Sequence, residues 1–223
     1  MKALILDLDG TLVDSVYGHV LAYQIAFAEA GLPVEACRIH KYIGMSGDLL
    51  TRAMARDSGH RASSQKLQKI DRRHRQLLHR LLPKPEPLPG AVELLKVLRQ
   101  RRILHGIATS GKPEDMELAT RTLHGVGPET VLVNRSDAAQ AKPEPDLFLE
   151  CQKRLGVPPH ECYAVGDAIW DILAARRAGM LGVGVLTGGY SREELTGAGA
   201  YRVFLNAQDL KDHLEELGLS LGD

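Results

Sequence analysis

Apolar residues follow two different rhythms along this 223-residue chain. Residues 3–8 are apolar except for Asp7 and stop at Asp9-Gly10, a turn signal, which predicts a short buried strand. Val16, Val20, Leu21, Ile25 and Ala28 then recur at helical spacing, predicting a helix over 15–30 that Gly31 closes. Further helices are expected over 48–57 and 63–82. Pro83, Pro85, Pro87 and Pro89 interrupt the chain in a way that no helix or central strand tolerates, so this stretch reads as a linker. Beyond it, helices over 91–100, 114–123, 146–155, 169–178 and 207–217 alternate with strands over 103–108, 130–133, 162–165, 181–186 and 201–205.

Strand–helix alternation implies an α/β fold, a doubly wound and mostly parallel sheet whose strand C-termini line up along one ligand-binding edge. The all-helical stretch is then an insertion after the first strand. The expected division is a core of residues 1–13 and 86–223 and a helical unit of residues 14–85.

Charge adds one detail. Lys+Arg and Asp+Glu both number 28, which gives no reason to expect a nucleic-acid or membrane partner. Residues 14–84 nevertheless carry 12 basic against 6 acidic residues, an excess able to concentrate an anionic ligand or simply to form a solvated helix face. Cys37, Cys151 and Cys162 lack paired metal-site spacing and read as reduced thiols. Met1-Lys2 leads into an apolar run soon broken by Asp7, without a signal-peptide pattern, so the cytoplasm is the expected location. Nothing in the composition demands an oligomer, and monomer and dimer both stay open.

Four polar groups fall just after strands: Asp7/Asp9, Thr109-Ser110-Gly111, the Lys142-Pro143 loop, and Gly166-Asp167 with Asp171. Each alone has a plain structural reading as a turn, a helix cap or a loop. Together, on one sheet edge, they describe a site. Asp7 and Asp167 offer the hard oxygen ligands that Mg²⁺ prefers, Thr109 and Ser110 offer donors before a helix, and Lys142 offers a charge for a carboxylate or a phosphate.

In this order the residues resemble the haloacid-dehalogenase-like (HAD) hydrolases with a helical cap inserted after the first strand of a Rossmann-like core. DLDGT at 7–11, IATSG at 107–111, AKPEPDLF at 141–148 and GDAIWD at 166–171 are similar to the four motifs of that family. The resemblance implies a nucleophile at Asp7 that forms an aspartyl-phosphate and a general acid–base at Asp9. It implies phosphate contacts from Thr109, Ser110, Gly111 and Lys142. It also implies Mg²⁺ held by Asp7, the Asp9 carbonyl and Asp167, with Asp171 in support.

The resemblance further implies a small phosphorylated metabolite as substrate, in the manner of the phosphoglycolate phosphatases. Asp9 disfavours the dehalogenase and phosphonate-cleaving branches. His19 is similar to a cap histidine of the β-phosphoglucomutase branch, so a sugar-phosphate mutase is the alternative. Gly47, where that branch has a phosphate-binding arginine, and the form of GDAIWD weigh against it. A non-catalytic phosphate binder is the reading from another class. Tyr17, His19, Lys41, Met45 and Arg72 or Arg73 are the cap positions expected to read the substrate.

Overall fold

The computed structural model describes residues 2–124 and 126–219. Residues 1, 125 and 220–223 of the expected core segments lie outside the described residues. The chain begins with β1 (Ala3–Leu6) and then forms four consecutive helices, α1 (Val16–Glu29), α2 (Ala36–His40), α3 (Gly47–Asp57) and α4 (Ser64–Leu81). The alternating part runs α5 (Ala91–Gln100), β2 (Leu104–Ala108), α6 (Pro113–Thr122), β3 (Val131–Val133), α7 (Asp146–Leu155), β4 (Cys162–Gly166) and α8 (Ile169–Arg177). It ends with β5 (Leu181–Val185), α9 (Arg192–Ala198), β6 (Arg202–Phe204) and α10 (Ala207–Asp212).

The strands of the described residues form one six-stranded sheet in the order β3-β2-β1-β4-β5-β6, parallel throughout. β1 is central, paired with β2 on one side and β4 on the other. Because side chains alternate across a strand, Leu4 and Leu6 enter one core with α5, α6 and α10, while Ala3 and Ile5 enter the other with α7 and α8. This double burial explains the unbroken apolar reading of β1.

The helices α1–α4 have a core of their own, with Val20, Tyr23, Phe27, Ile39, Met54, Ile70 and Leu78 among its buried members. α1 and α4 supply most of it. The bridge between Val13 and Pro87 pins the outgoing and returning strands of the insertion side by side, which explains why the proline-rich segment is extended.

Three elements depart from the sequence expectation. α2 is only 5 residues long, too short for its periodicity to register. α9 is absent from the expected series because its apolar pattern is weak; its start is fixed by a capping box in which the Ser191 hydroxyl accepts from the Glu194 N–H and the Glu194 carboxylate accepts from the Ser191 N–H. The expected helix over 207–217 ends at Asp212 and resumes as a 3₁₀ turn, Leu214–Leu217, because the apolar side chains Leu210, Leu214 and Leu217 all reach the core from a tightened path.

Candidate active site

The C-terminal ends of β1, β2 and β4 deliver Asp7, Thr109 and Asp167 to one edge of the sheet. The Asp7 N–H donates to the Val165 carbonyl at 2.8 Å and the Thr109 N–H donates to Val133 at 3.0 Å, so the sheet ladder itself fixes the backbone beneath both side chains. Lys142, from the loop before α7, is 1 % exposed and pairs with Asp7 and, at 2.8 Å, with Asp171. Asp171 also accepts the Ala168 N–H at 3.0 Å, capping its own helix α8.

Asp167 accepts the Thr11 hydroxyl at 2.9 Å. Its carboxyl lies so close to Gly10, whose φ is +78°, that a β-carbon there would collide with it. A glycine at position 10 therefore serves both the turn and the acid.

Asp7, Asp167 and Asp171 each place a carboxylate oxygen within 4.8 Å of the other two, and all are buried. One ammonium does not balance three carboxylates. Burial pushes Asp7 up to about 7, Asp171 and Asp9 push the same way, and Lys142 only partly opposes them. Burial and the Asp171 and Asp7 charges hold Asp167 well above the usual carboxylate range. A cluster of hard oxygen donors short of positive charge fits a divalent cation.

Asp9 sits in a different environment. It accepts the Ser15 hydroxyl at 2.6 Å and the Thr109 hydroxyl at 3.4 Å, and His19 Nε2 stands 3.5 Å from its carboxylate. Burial alone would raise Asp9, but the His19 hydrogen bond and charge outweigh it and hold the carboxyl below its ordinary value. Reciprocally, Asp9 overcomes burial and raises His19. His19 Nδ1 meets His74 Nε2 at 3.1 Å, and burial together with the neighbouring His19 and Arg75 charges keeps His74 neutral.

Above these groups a cleft of about 210 Å³ opens between core and cap. Asp7, Asp9, Thr109, Ser110, Gly111, His19 and Met45 line it, while Lys142, Asp167 and Asp171 lie behind the wall. The Ser110 hydroxyl is directed to the cap, donating to the Gly44 carbonyl at 3.2 Å, and the Gly111 N–H donates to Thr109 Oγ1 at 3.0 Å.

Four expected cap positions do not line the cleft. Tyr17 is 62 % exposed and stacks on His40. Lys41 contributes its carbonyl, which accepts Trp170 Nε1 at 2.9 Å and the Tyr190 hydroxyl at 2.8 Å across the cap–core seam. Arg72 is exposed, and Arg73 pairs with Glu29 at 2.6 Å. The reason is helical phase: α4 buries Leu67, Ile70, His74, Leu77 and Leu78, which turns Asp71 and Arg75 into the cleft and Arg72 and Arg73 away. Sequence reasoning missed Tyr23, Asp48, Asp71, His74, Arg75, Lys112 and Arg135, all cleft-lining; the apolar phase of α4 was the signal for three of them.

The profile of a hydrolase family, the haloacid dehalogenase-like hydrolases, matches residues 1–179. A phosphoglycolate phosphatase of Rhodospirillum rubrum is 35% identical over 222 residues, covering 96% of this chain and 90% of that protein. A β-phosphoglucomutase of Bacillus subtilis is 32% identical over 190 residues, 83% of each. The crystal structure of a hydrolase from Pseudomonas syringae superposes with a TM-score of 0.92 at 42% identity, covering 97% of this chain and 99% of that one.

Proposed function

We propose, for a chain that belongs to the haloacid dehalogenase-like hydrolase family, Mg²⁺-dependent hydrolysis of a small phosphate monoester through an aspartyl-phosphate on Asp7, in the manner of a phosphoglycolate phosphatase. Residues 14–85 act as the cap over a core of 1–13 and 86–223, in a cytoplasmic enzyme. The observation that carries this reading is the unequal setting of two carboxylates two residues apart. Asp7 lies among Lys142, Asp167 and Asp171, whereas Asp9 lies against His19 and Ser15. One setting suits a nucleophile and the other a group that trades a proton.

Asp7, Asp167 and the Asp9 carbonyl would hold Mg²⁺, with Asp171 steadying Lys142; when bound, the ion supplies positive charge that lets an anionic carboxylate approach an anionic phosphoryl group. A carboxylate oxygen of Asp7 forms the new bond to phosphorus as the ester bond breaks. The Thr109 hydroxyl holds a non-reacting phosphoryl oxygen, and Lys142, paired with Asp7 and Asp171 behind the wall, steadies the attacking carboxylate. The departing oxygen takes a proton from Asp9, which Asp9 in turn receives from His19, the member of the pair whose hold on a proton is raised. Asp9 then takes a proton from a water, whose oxygen attacks phosphorus and releases phosphate from Asp7. The cap excludes other water meanwhile.

The mutase reading has His19 in its favour and the 32% identical relative. Gly47 opposes it, since the residue there has no side chain and the atom nearest to where one would begin is a carboxylate oxygen of Asp71. The deciding experiment is a phosphate-release screen over small monoesters, including phosphoglycolate, sugar phosphates and nucleotides, with and without Mg²⁺. Metal-dependent release is expected. No release from any monoester would leave a binding protein, and conversion of β-glucose 1-phosphate to glucose 6-phosphate without free phosphate would establish the mutase.

A further inference from the structure

His74 is a polar side chain in an apolar stripe. On α4 it shares the buried face with Leu67, Ile70, Leu77 and Leu78 and is itself 4 % exposed. Its ring lies flat on the Tyr23 ring, with centroids 3.6 Å apart and planes 6° from parallel, and stacks against His19 at 5.2 Å. His19 and Tyr23 stand one turn apart on the same face of α1, so His74 meets both. Its Nε2 meets His19 Nδ1 at 3.1 Å, while its own Nδ1 is buried without a hydrogen-bond partner.

A buried nitrogen without a partner costs about 1–3 kcal/mol, and a leucine at this position would avoid that cost. The compensation lies at the other nitrogen. Across the contact between the two rings one nitrogen donates and the other accepts. If His74 were the donor, His19 Nδ1 would be bare, and passing the Nε2 proton to Asp9 would leave an imidazolate anion beside a carboxyl group. If His19 is the donor, it keeps one proton on Nδ1 and can pass the other from Nε2 to Asp9, 3.5 Å away. The second arrangement alone permits the transfer. It puts the single proton of His74 on the orphaned Nδ1, and burial with the His19, Arg75 and His79 charges keeps His74 from taking another.

We propose that His74 is a positioning residue for the proton transfer: its Nε2 accepts the Nδ1–H of His19, keeping that proton in place and orienting the ring so that His19 Nε2 hands its proton to Asp9. The proposal rests on the phosphatase reading and brings a second cap helix into its chemistry. Tyr23, whose hydroxyl donates to Asp71 at 3.3 Å, sets the plane of the His74 ring. The proton donor is thereby assembled from α1, α4 and the loop after β1, and it is complete only while cap and core are together.

The test uses the full chain with Mg²⁺ and measures kcat/KM for phosphate release from two probes. Phosphoglycolate loses an alkoxide that needs a proton, whereas p-nitrophenyl phosphate loses a nitrophenolate that does not. kcat/KM reports the formation of the aspartyl-phosphate, before the two probes share an intermediate. His74→Leu keeps the apolar stripe and removes the acceptor. It should lower kcat/KM for phosphoglycolate by about tenfold relative to that for p-nitrophenyl phosphate, with Tm no lower than in the parent. His74→Gln, whose amide oxygen reaches the place of Nε2, should restore most of that ratio. Equal losses on both probes, with or without a lower Tm, would mark a merely structural residue and overturn the proposal, as would a Gln variant no better than Leu. Long-range ¹H–¹⁵N NMR of the intact chain at pH 5.5 should place the His74 proton on Nδ1; a proton on Nε2 would overturn the proposal whatever the variants do. Release from neither probe by the intact chain would overturn the phosphatase reading, and this proposal with it.

Discussion

His19 Nε2 lies 3.5 Å from the Asp9 carboxylate, so a helix of the cap and the loop after β1 are joined through a single charged contact. The contact raises His19 and lowers Asp9 against the opposing pull of burial. Replacing His19 by Asn removes the cation, leaving burial to push the Asp9 carboxyl upward. The limb of the pH–kcat/KM profile governed by Asp9 should move to higher pH, with kcat reduced about 10- to 100-fold. An unmoved profile would separate His19 from the proton chemistry.

Lys142 pairs with two carboxylates, Asp7 and Asp171, from a fully buried position. Lys142→Met leaves Asp7, Asp167 and Asp171 without their ammonium and should destabilise the fold by about 3–5 kcal/mol, besides abolishing turnover. Thermal melts would show the loss, and millimolar Mg²⁺ should recover part of it because added positive charge replaces what was removed. A variant as stable as the parent in chelator would show that the carboxylates do not repel as placed.

The Asp7 carboxyl is raised from 3.8 to about 7 by burial and by Asp171 and Asp9. A group whose folded value is raised contributes stability below its unfolded value and loses it as pH rises through the folded one. Without metal, Asp7 therefore becomes progressively unfavourable between about pH 4 and pH 7. Asp7→Asn should abolish phosphate release and, in chelator, raise Tm over the parent more at pH 8 than at pH 5. Equal Tm differences at both pH values would contradict the shift.

Trp170 and Tyr190 both donate to the Lys41 carbonyl, tying the cap to the first turn of α8 and to the loop after β5. Removing one bond, as in Tyr190→Phe, should weaken closure by about 1 kcal/mol and raise KM roughly fivefold with little change in Tm. Trp170→Phe should act alike. Steady-state kinetics beside a thermal melt would distinguish this from a general loss of stability.

Much of the fold was legible because burial leaves period and punctuation in the chain. β1 reads as apolar since both its faces are covered, and Pro83 to Pro89 reads as a break since it lies extended beside Val13. α5 and α7 coincide with their expected spans because each carries a clear apolar face. Asp7, Asp9, Thr109 and Lys142 stand out in the sequence through motif order, and the structure brings them together at one sheet edge. α2 escaped because one and a half turns carry too little pattern.

The cap wall was different. Arg72, Arg73 and Arg75 are chemically equal in the sequence, and only the packing of Ile70, His74 and Leu78 decides that Arg75 meets the cleft while Arg73 meets Glu29. Lys41 reads as a charge, yet the fold uses its carbonyl. The sequence by itself determined the family, the parallel sheet and the residues at strand ends, since those follow from local patterns placed in order. Tertiary structure alone decided the opposite shifts of Asp7 and Asp9 and the approach of Asp71 to Gly47, because burial, charge balance and close approach exist only between segments distant in the chain.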